Sequence, residues 1–198
     1  MFQFPLLPRL KNKESGEVRR LGLLRHAKSD WDDLTLRDFD RGLNRRGRLG
    51  AALMGQHIRD YGTEWSLILA SPAERVRRTL EASGLPYPVR WEASAYLATS
   101  GTLMDLVRGL DPDPPSVLLA GHNPGLQDLL FDLVAPEQEN EPFARAADKY
   151  PTASFAVIDL SIDRWSDCAA GCGTLLHFAR PRDLDPDLGP ERSAAGTL

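Results

Sequence analysis

Three short apolar runs, each cut off by polar residues, constrain this chain most tightly. Leu21-Gly22-Leu23-Leu24 stops at Arg25-His26. Leu67-Ile68-Leu69-Ala70 stops at Ser71-Pro72, and Val117-Leu118-Leu119-Ala120 stops at Gly121-His122-Asn123. Runs this short, with no polar alternation, suit strands covered on both faces, as in a parallel sheet. Helical patterns separate them. Residues 48–61 set Ala51, Met54, Ile58 and Tyr61 on one stripe, and Gly62 is placed to end that helix. In SPAERVRRTL, Ser71 is expected as N-cap, Pro72 at the first helical position and Glu74 in a capping box. Leu103, Leu106, Val107 and Leu110 stripe another helix. Asn123-Pro124 repeats the cap-plus-proline pattern before Leu126, Leu129, Leu130 and Leu133.

Strands alternating with helices predict an α/β domain, its sheet mostly parallel with helices on both faces. Val89 to Trp91 supplies a further short strand. Residues 153–160 and 174–179 are expected as two late strands that can pair at one edge. Residues 27–47 are expected as a long polar loop, and 135–150 as an acidic loop. Residues 1–20 are expected as an extension, 21–180 as the domain and 181–198 as a frayed tail.

The 198 residues carry 24 Lys and Arg against 28 Asp and Glu, a formal net charge of −4, which argues against a general nucleic-acid binder. No apolar stretch approaches the ~20 residues a membrane helix needs. Cys168 and Cys172 are too few for a disulfide framework, so a reducing, cytoplasmic setting is the expectation. The start of the chain has its apolar part before its charges, the reverse of a signal peptide.

Ligand sites of open parallel sheets form outside the carboxyl ends of the strands. If the three runs are neighbouring strands, Arg25, His26, Arg75 and His122 converge there. Two of the exits also start helices, whose free N–H groups favour an anion. Arginine forks match phosphate oxygens. The chemistry this set most easily builds is phosphoryl transfer, with a histidine nitrogen as nucleophile and no cofactor or metal.

RHAKS, DFDRGLNRRG, SPAERVRRT, the AYLA stretch, GHNPG and the later PTA, in that order, resemble the histidine phosphatase superfamily, and within it the SixA-type phosphohistidine phosphatases. The resemblance covers about residues 21–180. It implies a three-layer α/β/α phosphoglycerate mutase-like fold and metal-independent phosphate hydrolysis. It also implies His26 as phospho-acceptor, Arg25, Arg75 and His122 as the phosphate pocket, and Asn44 at its rim. Ala27 replaces the superfamily's usual glycine, and Gly42 stands where proline is common. No proton-donating acid is assigned; Glu92, Asp30, Asp32 and Asp40 are the candidates. An imidazole leaves phosphorus more easily than an alkoxide does, so a missing acid fits a phosphohistidine substrate.

The expected substrate is therefore a protein carrying phosphohistidine, with a small phosphate ester, or a phosphate-binding domain without catalysis, as the alternatives. Nucleic-acid and membrane partners are not expected. His57 and His177 are expected to be structural. Arg45, Arg46 and Arg48 are a basic surface run that could also draw an acidic partner. Cys168, Cys172 and His177 lack a fourth ligand for zinc. Thr152 is expected to begin a strand.

Overall fold

The computed structural model describes residues 18–189; what the sequence suggests for 1–17 and 190–198 lies outside them. Six strands form one sheet: β1 (Arg19–Arg25), β2 (Leu67–Ala70), β3 (Val89–Trp91), β4 (Ser116–Gly121), β5 (Phe155–Leu160) and β6 (Gly173–Ala179), in the order β3-β2-β4-β1-β5-β6. β3, β2, β4 and β1 run parallel; β5 is antiparallel to β1 and β6 to β5. The two late strands are thus the expected edge hairpin, and β6 again points the same way as β1.

Six helices complete the fold: α1 (Arg45–Tyr61), α2 (Glu74–Ser83), α3 (Ser100–Arg108), α4 (Gly125–Leu133), α5 (Glu141–Asp148) and the single turn α6 (Pro181–Leu184). Period-two alternation along the strands sorts the core into two halves. Leu21, Leu23, Val117 and Leu119 pack with Leu103, Val107, Leu126, Leu129 and Leu130, from α3 and α4. Leu24, Leu118 and Ala120 pack on the other face with Met54, Ile58, Val76 and Leu80, from α1 and α2. Both faces are covered, which is why these strands read as continuous apolar runs.

Several local expectations need correction. α1 starts at Arg45, three residues before the expected 48, because the Asn44 side-chain oxygen accepts the Gly47 N–H at 2.8 Å and caps it. α2 starts at Glu74 without a side-chain cap, and Glu74 pairs with Arg78 instead of closing a capping box. Asn123 does not cap α4; its amide donates to Gln127 Oε1 and to the Tyr150 carbonyl. The acidic loop holds α5, capped by Asn140, whose apolar Phe143 and Ala146 join the core. β5 begins at Phe155, so Thr152 precedes the strand. Residues 181–189 are ordered into α6 and a 3-10 turn over Pro186–Leu188, and α6 packs on α1.

His57 and His177 lie with their Nε2 atoms 2.8 Å apart, packed with Tyr61 and Phe155, so His177 is committed to a partner away from the cysteines. Cys168 and Cys172 are free thiols.

α1 and α2 approach closely at Gly55, where a Cβ would collide with the Ser83 carbonyl. Gly55→Ala is therefore expected to lower stability by about 2 kcal/mol in urea unfolding, through overpacking against backbone. Alanine's better helix propensity, worth ~1 kcal/mol, would by itself act the other way, so a stabilised variant would refute this packing.

Candidate active site

β2, β4 and β1 are adjacent and parallel, so their exits share one rim. Arg25 pairs with Gly121 and Ala70 with Ala120. Beyond them His26 N–H donates to the Gly121 carbonyl and Ser71 N–H to the Ala120 carbonyl. His26 and His122 are brought to 5.1 Å between ring centroids.

His26 is buried, with Nδ1 2.8 Å from the Ala27 carbonyl. A carbonyl only accepts, so the neutral ring carries its proton on Nδ1 and leaves a lone pair on Nε2. Burial, then the charges of Arg75 and Arg25, push the His26 pKa down to about 4. The Ala27 N–H is held by Thr79 Oγ1, whose hydroxyl donates to the Arg75 carbonyl. One threonine thus ties the loop after His26 to the helix that carries Arg75.

His122 Nε2 lies 2.8 Å from Ser71 Oγ, and its Nδ1 is buried without a partner among the described residues. Burial, then the neighbouring His26 and Arg75, lower its pKa to about 3. Ser71 Oγ also accepts the Ala73 N–H at 3.4 Å, but the N-cap of α2 is Ala73, so Ser71 is not the cap. A base this weak, beside a serine with no exposed surface, does not make a nucleophilic dyad; the bond orients His122.

Arg75 is nearly fully buried, and its guanidinium donates to the Asp38 carbonyl at 2.6 Å and to the Asp38 carboxylate at 2.9 Å. Tyr96 OH donates to the same carboxylate oxygen, Oδ2, at 2.6 Å. The Tyr96 hydrogen bond, then the bond and charge of Arg75, hold the Asp38 carboxyl below its usual range. Arg25 donates to the Tyr150 carbonyl at 2.7 Å, while the buried Tyr150 hydroxyl donates to Leu23 O.

Three of the four carboxylates considered as acids have other partners. Glu92 pairs with Arg90, Asp40 with Arg37, and Asp30 accepts the Asp32 backbone N–H. Asp38 is the carboxylate at the pocket that the sequence did not single out. A buried arginine calls for a counter-charge, and the DFDRG segment offered two carboxylates without showing which would reach it. Asn44 does not meet His26 in any hydrogen bond; its oxygen caps α1, and it lines an adjoining cavity together with Arg25.

Residues 21–98 match the family model of the histidine phosphatase superfamily, branch 1. An uncharacterized protein of Mycobacterium tuberculosis is 32% identical over 160 residues, which is 80% of this chain and 100% of that protein. The chain belongs to the histidine phosphatase superfamily. Among solved structures, the candidate phosphohistidine phosphatase SixA from Agrobacterium tumefaciens aligns with a TM-score of 0.69 and 30% identity, covering 82% of this chain and 98% of that one. The candidate SixA from Nakamurella multipartitia aligns with a TM-score of 0.74 and 26% identity, over 85% and 99%. This histidine phosphatase has the mixed six-stranded, phosphoglycerate mutase-like fold of its superfamily. No helix among the described residues is long and apolar enough to cross a membrane.

The low His26 pKa has a kinetic consequence. A histidine nucleophile must be neutral, and this one loses its lone pair only as pH falls towards about 4. The acid limb of kcat/KM for p-nitrophenyl phosphate should therefore lie well below the ~6.5 of an ordinary histidine. A limb that stays near 6.5 in wild type would mean that another group, or a solvated His26, controls the rate.

Proposed function

We propose that this phosphatase removes phosphate from phosphohistidine carried by a protein, through a covalent phospho-His26 and without a metal. The observation that carries this reading is the state of Asp38. It is the carboxylate at the pocket, and Tyr96 and Arg75 hold it ionised. An ionised carboxylate is a poor proton donor, so the site is better matched to a leaving group that needs little protonation.

In the first step the Nε2 lone pair of His26 forms a bond to phosphorus as the bond from phosphorus to the donor imidazole breaks. The departing imidazole takes its proton from solvent. Arg25, Arg75 and His122 act on the non-bridging oxygens, whose charge spreads in the transition state. Water then attacks phosphorus, His26 leaves as a neutral ring, and inorganic phosphate is released. Cationic side chains supply the charge stabilisation that a metal gives in other phosphatases. Asp38 holds both terminal nitrogens of Arg75, which fixes the guanidinium that is to meet the phosphoryl group. The likeness to the two candidate SixA phosphohistidine phosphatases supports the same substrate class.

The test is phosphate release, with chelator present, from a phosphohistidine-bearing protein and from an aryl phosphate. Wild type should turn over the phosphohistidine substrate faster, and His26→Ala should lose at least about a thousandfold of that rate. Glu92→Gln should stay within about twofold of wild type. Preference for small esters, with a loss in Glu92→Gln, would move the substrate to phosphomonoesters. Binding of phosphate without any turnover would make this a binding domain.

A further inference from the structure

Beside the phosphate pocket lies a cavity of about 610 Å³ that the reaction above does not use. Its position follows from the strand order. The phosphate pocket stands over the ends of β2, β4 and β1. The cavity stands over the same rim on the other side of β1, where β5 begins and β6 ends. Arg25 and Ala27 belong to its wall, as do Thr152 and Ala153 before β5, and Pro181 after β6.

Its charge is one-sided. Arg25, Lys28, Arg46, Lys149 and Arg182 line it, and among the described residues no carboxylate does. In a chain with a net charge of −4, that is a local reversal. Among the described residues, most other arginines are neutralised by neighbours, as Arg37, Arg78, Arg145 and Arg180 are. Lys28, Arg46, Lys149 and Arg182 have no ion pair among the described residues. Arg25 keeps a buried Nε without a hydrogen-bond partner among the described residues. Five like charges facing one space repel one another, and that cost is removed when an anion enters. The volume is in the range that holds a substantial part of a ligand, not a lone ion. Arg25 meets both spaces, so a molecule whose phosphoryl group sits at His26 can reach the cavity with a neighbouring group.

We propose that this cavity is a second anion subsite, which binds a further carboxylate or phosphate on the same substrate and so selects substrates with a second negative group near the one hydrolysed. The inference rests on the pocket being a phosphatase site, but not on the donor being phosphohistidine. In a phosphoprotein the second group would be Asp or Glu side chains flanking the phosphohistidine. In a small molecule it would be a second phosphate.

The test compares wild type with Arg46→Gln/Lys149→Gln/Arg182→Gln on matched probes. These are phosphohistidine peptides flanked by Asp and Glu or by Gly and Ser, glucose 1,6-bisphosphate against glucose 6-phosphate, and p-nitrophenyl phosphate. Wild type should favour the more anionic member of at least one pair by about tenfold in kcat/KM, through KM. The triple variant should lose that preference and stay within about twofold on p-nitrophenyl phosphate, which also shows that it is folded. The pair that shows the preference identifies the source of the second anion. No preference in wild type, a preference kept by the variant, or an equal loss on p-nitrophenyl phosphate would each overturn the subsite. Calorimetric titration with the same bisphosphate and monophosphate reads the contrast without turnover. An inactive pocket and an absent subsite therefore give different results.

Discussion

The parallel pairing of β1 with β4, and of β4 with β2, is the constraint on which the site depends. Parallel neighbours end at the same rim, so residues about fifty and a hundred positions apart in the chain leave the sheet side by side. Arg25-His26, Ser71 and His122 are adjacent for that reason alone. The antiparallel turn into β5 and back through β6 extends the rim beyond β1, and there the basic cavity forms. A change in strand order would scatter all of these groups without altering a single one of them.

Within that frame, the electrostatics separate the proposed nucleophile from its support. Burial among arginines makes a protonated imidazole costly, so His26 and His122 are both neutral at physiological pH. The Ala27 carbonyl then fixes which nitrogen of His26 carries the hydrogen. Arg75 cannot lie buried and unpaired at acceptable cost, and Asp38 is its counter-charge. The same ion pair keeps Asp38 from acting as an acid. One local interaction thereby both fixes the arginine proposed to bind the anion and narrows the chemistry the pocket can assist.

Much of this was legible in the chain because strands buried on both faces leave an unmistakable apolar signature. The runs at 21–24, 67–70 and 117–120 located the sheet, and the polar residues after them located His26, Arg75 and His122. Capping was less legible. Ser71 and Asn123 have the chemistry of caps, yet tertiary partners claim both: His122 takes Ser71, and Gln127 and Tyr150 take Asn123. Asp38 escaped notice because its role exists only where Arg75 is buried against it, through a contact spanning 37 residues. The basic cavity is likewise a product of the fold: Lys28, Arg46, Lys149 and Arg182 come from four separate segments, and none is a motif alone.

The central claim is that the phosphoryl group passes through His26. The most direct measurement is rapid quenching of wild type during turnover, under alkaline conditions that preserve phosphorus–nitrogen bonds, followed by peptide mass spectrometry. The account predicts an added phosphoryl group on the peptide containing His26, absent after acid treatment and absent in His26→Ala. A phosphoryl group on another residue, or turnover undiminished in His26→Ala, would contradict it.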